Sequence, residues 1–216
     1  MPGSAGVRSL PRMAALEFRP ANEVPFDDVQ TVLGTSQAGR CQCQRQVLGD
    51  RLWWDMPVGE RRMRLAEQSC AGDPAASSTS GLVAYDDGEP VGWVAVAPRP
   101  TYRRYFGRSP VAWRGRHEDR DDADVWVAAC FVVRAGFRGE GLTYELAAAA
   151  VEFARSRGAA ALEGYPIVAA DGGEVVWDEA SVGTPQVFAA AGLTEVSAPT
   201  SRRRVLRIDF DEVSSR

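Results

Sequence analysis

The chain has 216 residues, 45% hydrophobic and 25% charged, with a formal net charge of -4 and a pI near 5.2. That length suits one globular domain or two small lobes that share a core, and the acidic balance argues against broad nucleic-acid or anionic-membrane binding, which both need a positive surface field. All 25 basic residues are arginine and His117 is the one histidine, which excludes a P-loop lysine and a lysine Schiff base and leaves little room for a His-based metal site or a Ser-His-Asp triad.

Residues 1–14 are rich in Gly, Ser, Pro and Ala without an apolar period and are expected as a flexible tail, with a single domain over 15–210 and a second tail over 211–216. No secretory apolar core and no run of about 18 apolar residues occurs, so the expected compartment is the cytoplasm. "LEFRP" reads as a first strand, and "PFDDVQTVLG" as a helix between Pro25 and Gly34. The next stretch, "GRCQCQRQVLGDRLWWDMP", has no clear period. A helix is expected from about Val58 to Ala71 on the spacing of Met63, Leu65, Ala66 and Cys70. "GLVAYDDGEPVGWVAVAPRP" is a hairpin closed at Asp87-Gly88, a dipeptide suited to positive φ. Residues 99–124 form an irregular basic and then acidic insertion, and "VWVAACFVV" is an unbroken apolar run, as in a strand buried on both faces. Apolar residues at three- and four-residue steps predict a helix from Leu142 to Arg157, stopped by Gly158. "AAALEGYPI" is a further strand, a short helix spans Thr184 to Ala191, and "LTEVS" and "RRVLRIDF" form a terminal antiparallel pair. The order predicts an α/β fold built on a mixed, mostly antiparallel central sheet flanked by helices.

The four cysteines, Cys41, Cys43, Cys70 and Cys130, are too few and too unevenly spaced for a disulfide scaffold and read as reduced thiols. A zinc set of Cys41, Cys43, Cys70 and His117 is set aside because Cys-x-Cys is not the usual Cys-x-x-Cys and the other ligands lie far off in sequence, so no metal is expected. Cys130 reads as a small core residue rather than a nucleophile, since nothing nearby in sequence would stabilise a thiolate.

Between the apolar strand and the long helix lies "RAGFRGEGLT". Glycines there let the backbone bend sharply, and a helix start offers unpaired N–H groups to an anion such as a pyrophosphate. A turn without a ligand would use the same glycines. The dinucleotide fingerprint fits poorly, because this loop follows the fourth strand and not the first of a βαβ unit. The stretch "CFVVRAGFRGEGLTYELAAAAVEFARSRGA" resembles the acyl-CoA motif of the GNAT (GCN5-related N-acetyltransferase) family, a strand, then [RQ]-x-x-G-x-[GA], then a helix, and the resemblance extends over about residues 16–209. Arg138 and Gly141 match the first and fourth sites, while Thr143 stands where Gly or Ala is usual. The resemblance implies an N-acetyltransferase with acetyl-CoA as co-substrate, its pyrophosphate held by the loop of Arg138, Gly139, Glu140, Gly141, Leu142 and Thr143. It implies a splay between the two central strands, in which main-chain groups of Phe131, Val132 and Val133 pair with pantetheine as an added strand edge would. It further implies direct transfer through a tetrahedral intermediate to a primary amine of a small-molecule or peptide acceptor, near "DRLWWDM" and "PRPTYRRYFGR". A homodimer stays open.

Acyl transfer to an amine needs a route for the amine proton, an oxyanion donor and protonation of the leaving thiolate. The strand Val125 to Val133 carries no carboxylate, and Phe188 stands where many members of the family carry a tyrosine acid. Glu163 and Tyr165, on the neighbouring strand near the expected splay, are the substitutes offered for proton handling, against the alternative that both only pack or pair. Because both usual proton handlers are missing, a noncatalytic acyl-CoA-binding regulatory module is the second reading.

Overall fold

The computed structural model describes residues 16–34, 37–48, 50–102, 111–169 and 181–210. The two tails expected at 1–14 and 211–216, and residues 103–110 of the insertion, lie outside these. Seven strands form one sheet among the described residues: β1 Glu17–Pro20, β2 Gly81–Asp86, β3 Glu89–Pro98, β4 Val125–Val133, β5 Ala161–Gly164, β6 Thr194–Thr200 and β7 Arg203–Asp209. Their spatial order is β1-β2-β3-β4-β5-β7-β6, and every neighbouring pair is antiparallel except β4 with β5. This is the mixed, mostly antiparallel sheet expected from the element order.

The β2–β3 hairpin turns where Asp87 and Gly88 take φ of 50° and 78°, the left-handed pair that a two-residue turn demands. Helix α1 (Phe26–Leu33) sets Val29, Val32 and Leu33 against the sheet. The aperiodic stretch that follows folds as three short helices, α2 Gln37–Cys41, α3 Gln44–Leu48 and α4 Asp50–Asp55. None completes two turns, so no apolar period could announce them. Glutamine pairs lock them: Gln30 with Gln42 at 2.9 and 3.0 Å, and Gln44 with Gln68 at 2.8 and 3.3 Å. Helix α5 runs Val58–Ser69, ending two residues before the expected Ala71 because Cys70 turns left-handed with φ of 48°.

Helix α6 (Leu142–Ser156) buries Leu142, Leu146, Ala150, Val151 and Ala154 against one face of the sheet. The packing is close, since a Cβ placed on Gly92 of β3 would lie 3.1 Å from Leu142 Cδ2 and 3.2 Å from Leu146 Cδ1. Helices α1, α2 and α5 cover the other face over β2 to β4, and Val127, Ala129, Tyr165 and Val205 form a separate apolar cluster on that same side. The last helix, α7 (Pro185–Ala190), starts at Thr184, whose hydroxyl accepts from Val187 N–H.

One feature of this topology makes the site. β4 and β5 pair in parallel only from Val125–Ala161 to Ala128–Gly164, after which β4 continues to Val133 beside β3 alone. The sheet therefore splays at its centre.

Candidate functional site

Two cavities open at the splay, one on each face of β4. Side chains alternate along a strand, so Phe131 and Val133 wall the cavity on the α6 side while Cys130 and Val132 wall the other. Ser181 borders both.

The first cavity, about 180 Å³, sits at the N-terminus of α6 and is lined there by Phe137, Arg138, Gly139, Gly141, Leu142 and Thr143. Gly139 and Gly141 take φ of 85° and 84°, angles that a side chain would strain, and a Cβ on either would meet nothing within 4 Å. The space before the loop is thus open. No side chain caps α6; Tyr144 N–H turns back to Gly141 O at 2.8 Å, and the positive end of the helix dipole lies at the cavity. Features that suit a pyrophosphate are therefore present: a helix start without a side-chain cap, an open cradle and, in Thr143, a hydroxyl-bearing residue on the cavity wall. Of the expected loop and edge residues, Glu140 does not line this cavity, and Val132 lines the opposite one. Two main-chain groups at the edge are engaged within the chain: Phe131 N–H donates to Ser181 O at 2.7 Å, and Val133 O accepts from Arg138 Nε at 2.9 Å. Pantetheine pairing there would exchange with both.

The second cavity, about 500 Å³, lies between β4 and the α2–α5 helices. Arg40, Arg45, Arg61 and Arg203 line it, with Trp53 and Trp54, and no aspartate or glutamate is among its described lining residues. Arg61 crosses its wall: Nη1 donates to Arg40 O at 2.7 Å, Nη2 donates to Trp53 O at 2.6 Å, and the guanidinium stacks 4.3 Å from the Trp53 ring centroid. Cys41 also lines it, and burial pushes that thiol up to about 11. The Cys130 thiol is hydrogen-bonded to Cys43; that bond and burial push Cys130 well above the usual thiol range. Cys43 moves the other way, lowered by the bond from Cys130 and by the Trp93 indole, which donates at 3.3 Å. Cys130 is thus a protonated, packed thiol, unsuited to nucleophilic attack.

Glu163 and Tyr165 line neither cavity. Register settles their face: Glu163 is opposite Val127 and Arg207, while Leu162 points into the α6 core. Glu163 is fully buried, paired with Arg116, with Arg207 at 3.0 Å and with Arg99 at 3.6 Å, and it accepts the Tyr165 hydroxyl. Burial, then the charge of Glu163 and the bond to it, push the Tyr165 phenol well above its ordinary range. A proton held that firmly, on a group walled off from both cavities, is poorly placed to be handed to a thiolate. Phe188 is buried and packs edge-on against Phe131, ring centroids 5.6 Å apart.

A model of the Acetyltransferase (GNAT) family matches residues 47–170. The chain belongs to this family. Among solved structures, the PaiA N-acetyltransferase of Thermoplasma acidophilum in complex with coenzyme A is similar at 10% identity, covering 91% of this chain and 100% of that one with a TM-score of 0.50. A candidate GNAT acetyltransferase from Desulfovibrio desulfuricans matches at 14% identity over 90% of this chain and 99% of that one, TM-score 0.50. A candidate phosphinothricin N-acetyltransferase matches at 14% over 92% and 100%, TM-score 0.50. At such identities the likeness is one of fold. No curated protein matches the chain by sequence.

The resemblance seen in the sequence was therefore to the right family. What sequence reasoning missed is the wall of the second cavity: Ser181, Arg203 and Gln46 gave no signal, since they reach it from three distant parts of the chain. The polar run "RCQCQRQ" held a clue only in hindsight, because Gln42, Gln44 and Gln46 are all buried. Among the described residues no three His, Cys, Asp or Glu side chains come together as a metal set, and no described helix is long and apolar enough to cross a membrane.

Proposed function

We propose that this GNAT protein transfers an acetyl group from acetyl-CoA to a primary amine. The observation that carries the reading is the uncapped N-terminus of α6 opening on a cavity that borders the splay between β4 and β5. The amides of Arg138 to Thr143 hold the pyrophosphate, and the exposed Arg138 adds charge at its edge. The acyl end reaches the splay, where β4 separates donor and acceptor and the amine approaches from the Cys130 and Val132 side. The amine attacks the thioester carbonyl directly, a β4 main-chain N–H stabilises the developing oxyanion once Ser181 O yields it, and collapse of the tetrahedral intermediate breaks the C–S bond and expels the CoA thiolate, which takes its proton from water. With no described carboxylate on the acceptor wall, the amine proton leaves through water. Glu163 and Tyr165 hold the strand around the splay instead of moving protons.

That absence of a carboxylate among the described lining residues favours one rival, a noncatalytic acyl-CoA-binding module. Calorimetry of CoA with Gly141→Val, together with thioester turnover on an amine panel, separates the cases. The substitution places a β-branched residue at positive φ within the cradle and should weaken CoA at least tenfold, about 1.4 kcal/mol or more. Unchanged affinity would sink the loop assignment, and CoA binding without CoA release on any amine would favour the module.

A further inference from the structure

Among the described residues that line the two cavities, Ser181 is the one they share. Its carbonyl takes the Phe131 N–H at 2.7 Å, on the stretch of β4 that β5 no longer pairs. The β4 side chains at this gap are Phe131 and Val133 on one face and Cys130 and Val132 on the other, none of them a carboxylate or a hydroxyl. Thr143 is the other hydroxyl-bearing residue on the described walls, and it lies in the first turn of α6. Ser181 is thus the hydroxyl-bearing residue at the passage from one cavity to the other.

Its place is fixed from two sides. The Ser181 side chain hydrogen-bonds the Cys130 thiol, so its hydroxyl already sits against a sulfur at the wall of the second cavity. Two residues on, Gly183 has φ of 83°, and a Cβ there would lie 2.7 Å from Phe188 Cε2 and 3.1 Å from Phe131 Cε2. That close approach wedges the segment against the sheet. When a ligand takes the Phe131 N–H, the peptide between Ser181 and Val182 turns while residue 181 keeps its position. Acyl transfer leaves negative charge on sulfur as the C–S bond breaks, and among apolar side chains a thiolate is poorly solvated. A hydroxyl aimed at that sulfur makes a charge-assisted hydrogen bond to it, which favours the thiolate over the thioester.

We propose that the Ser181 hydroxyl hydrogen-bonds the sulfur of CoA at the gap between the two cavities and stabilises the leaving thiolate. As the tetrahedral intermediate collapses, the C–S electron pair passes to sulfur and Ser181 donates its hydrogen bond there. A serine hydroxyl is far less acidic than a thiol, so it keeps its proton, and water protonates the thiolate afterwards. This role rests on the acetyltransferase reading above and adds a side chain at the reacting atoms.

Calorimetry of CoA and of desulfo-CoA, which lacks the thiol, tests the contact on the full chain without any acceptor. A donor to sulfur favours the thiolate, so the affinity of CoA relative to desulfo-CoA should climb with pH in the wild type. In Ser181→Ala the climb should begin about one pH unit higher, a roughly tenfold loss of thiolate stabilisation. Ser181→Thr keeps a hydroxyl and should restore the wild-type curve, and desulfo-CoA should bind all three alike. In turnover of acetyl-CoA with whichever of phenethylamine, glycinamide and spermidine accepts the acetyl group, Ser181→Ala should lower kcat at least about tenfold with KM for acetyl-CoA unchanged, and Ser181→Thr should recover most of the loss. Coincident pH curves for wild type and Ser181→Ala, or an equal kcat, overturn the proposal. Weaker binding of CoA and desulfo-CoA alike in Ser181→Ala would make the residue structural and overturn it equally. Failure of the wild type to bind CoA at all would instead defeat the acetyltransferase reading, so the two failures are distinct.

Discussion

Phe188 occupies a slot whose walls are two glycines. A Cβ on Gly164 would lie 2.4 Å from its ring and one on Gly183 2.7 Å from it. The ring is therefore a packing element that fastens α7 to β5 and to Phe131 behind the first cavity. Phe188→Ala should cost about 3–5 kcal/mol, read as a loss in denaturant midpoint; a variant that keeps its stability but is inactive would return Phe188 to the catalytic candidates. Cys41 offers a second test at this scale. Its thiol is pushed up to about 11 by burial, against about 8.5 for a free thiol. The folded state thus holds a proton that the unfolded chain releases first, so the stabilisation is fully present below about pH 8.5 and is lost as pH rises through 11. Wild type should lose stability more steeply than Cys41→Ala between pH 8.5 and 11 in urea titrations. Parallel slopes would contradict the burial of this thiol.

Helix α6 would tie stability to binding under the proposed function, because the element that packs the core also opens at its N-terminus on the first cavity. Its position depends on the missing side chain at Gly92, where Leu142 and Leu146 come within 3.2 Å of any added Cβ. Gly92→Val should push the helix off β3, cost about 1–3 kcal/mol by overpacking and weaken CoA severalfold although residue 92 touches neither cavity. Thermal melts with CoA calorimetry check both halves, and a destabilised variant with unchanged affinity would uncouple packing from the loop. Helices α2 to α4 work differently. They have few turns and depend on the glutamine pairs and on Arg61, so their order is tertiary in origin.

Across the whole molecule, one buried carboxylate joins four distant segments. Glu163 of β5 meets Arg99 after β3, Arg116 of the insertion and Arg207 of β7, with Tyr165 beside it, and Arg99 Nη1 has no hydrogen-bond partner. Glu163 is the buried carboxylate that the three guanidinium groups share, while Glu118 and Asp209 pair with Arg116 and Arg207 from the outside. Glu163→Gln should therefore cost about 3–5 kcal/mol, as removing one partner of a buried ion pair does. The folded fraction should keep turnover within about tenfold and bind CoA normally, measured by kcat at a temperature where the variant remains folded. A drop of about 10² or more in kcat at unchanged stability would restore Glu163 as a proton handler.

The sequence by itself determined the parts that are local. Asp87-Gly88 specified the hairpin, nine apolar residues marked β4 as central, and the strand, glycine loop and amphipathic helix marked the stretch from Arg138 to Thr143 that borders the first cavity. These are set by neighbours in the chain, through turn angles and through the periods of strand and helix. Only the tertiary structure decided which way Glu163 and Tyr165 point, because strand alternation says that they share a face but not which layer covers it. It alone assembled the second cavity too, since Gln46, Arg61, Ser181 and Arg203 meet through the packing of short helices against the open edge of β4, and no local pattern encodes a meeting of residues so far apart in sequence.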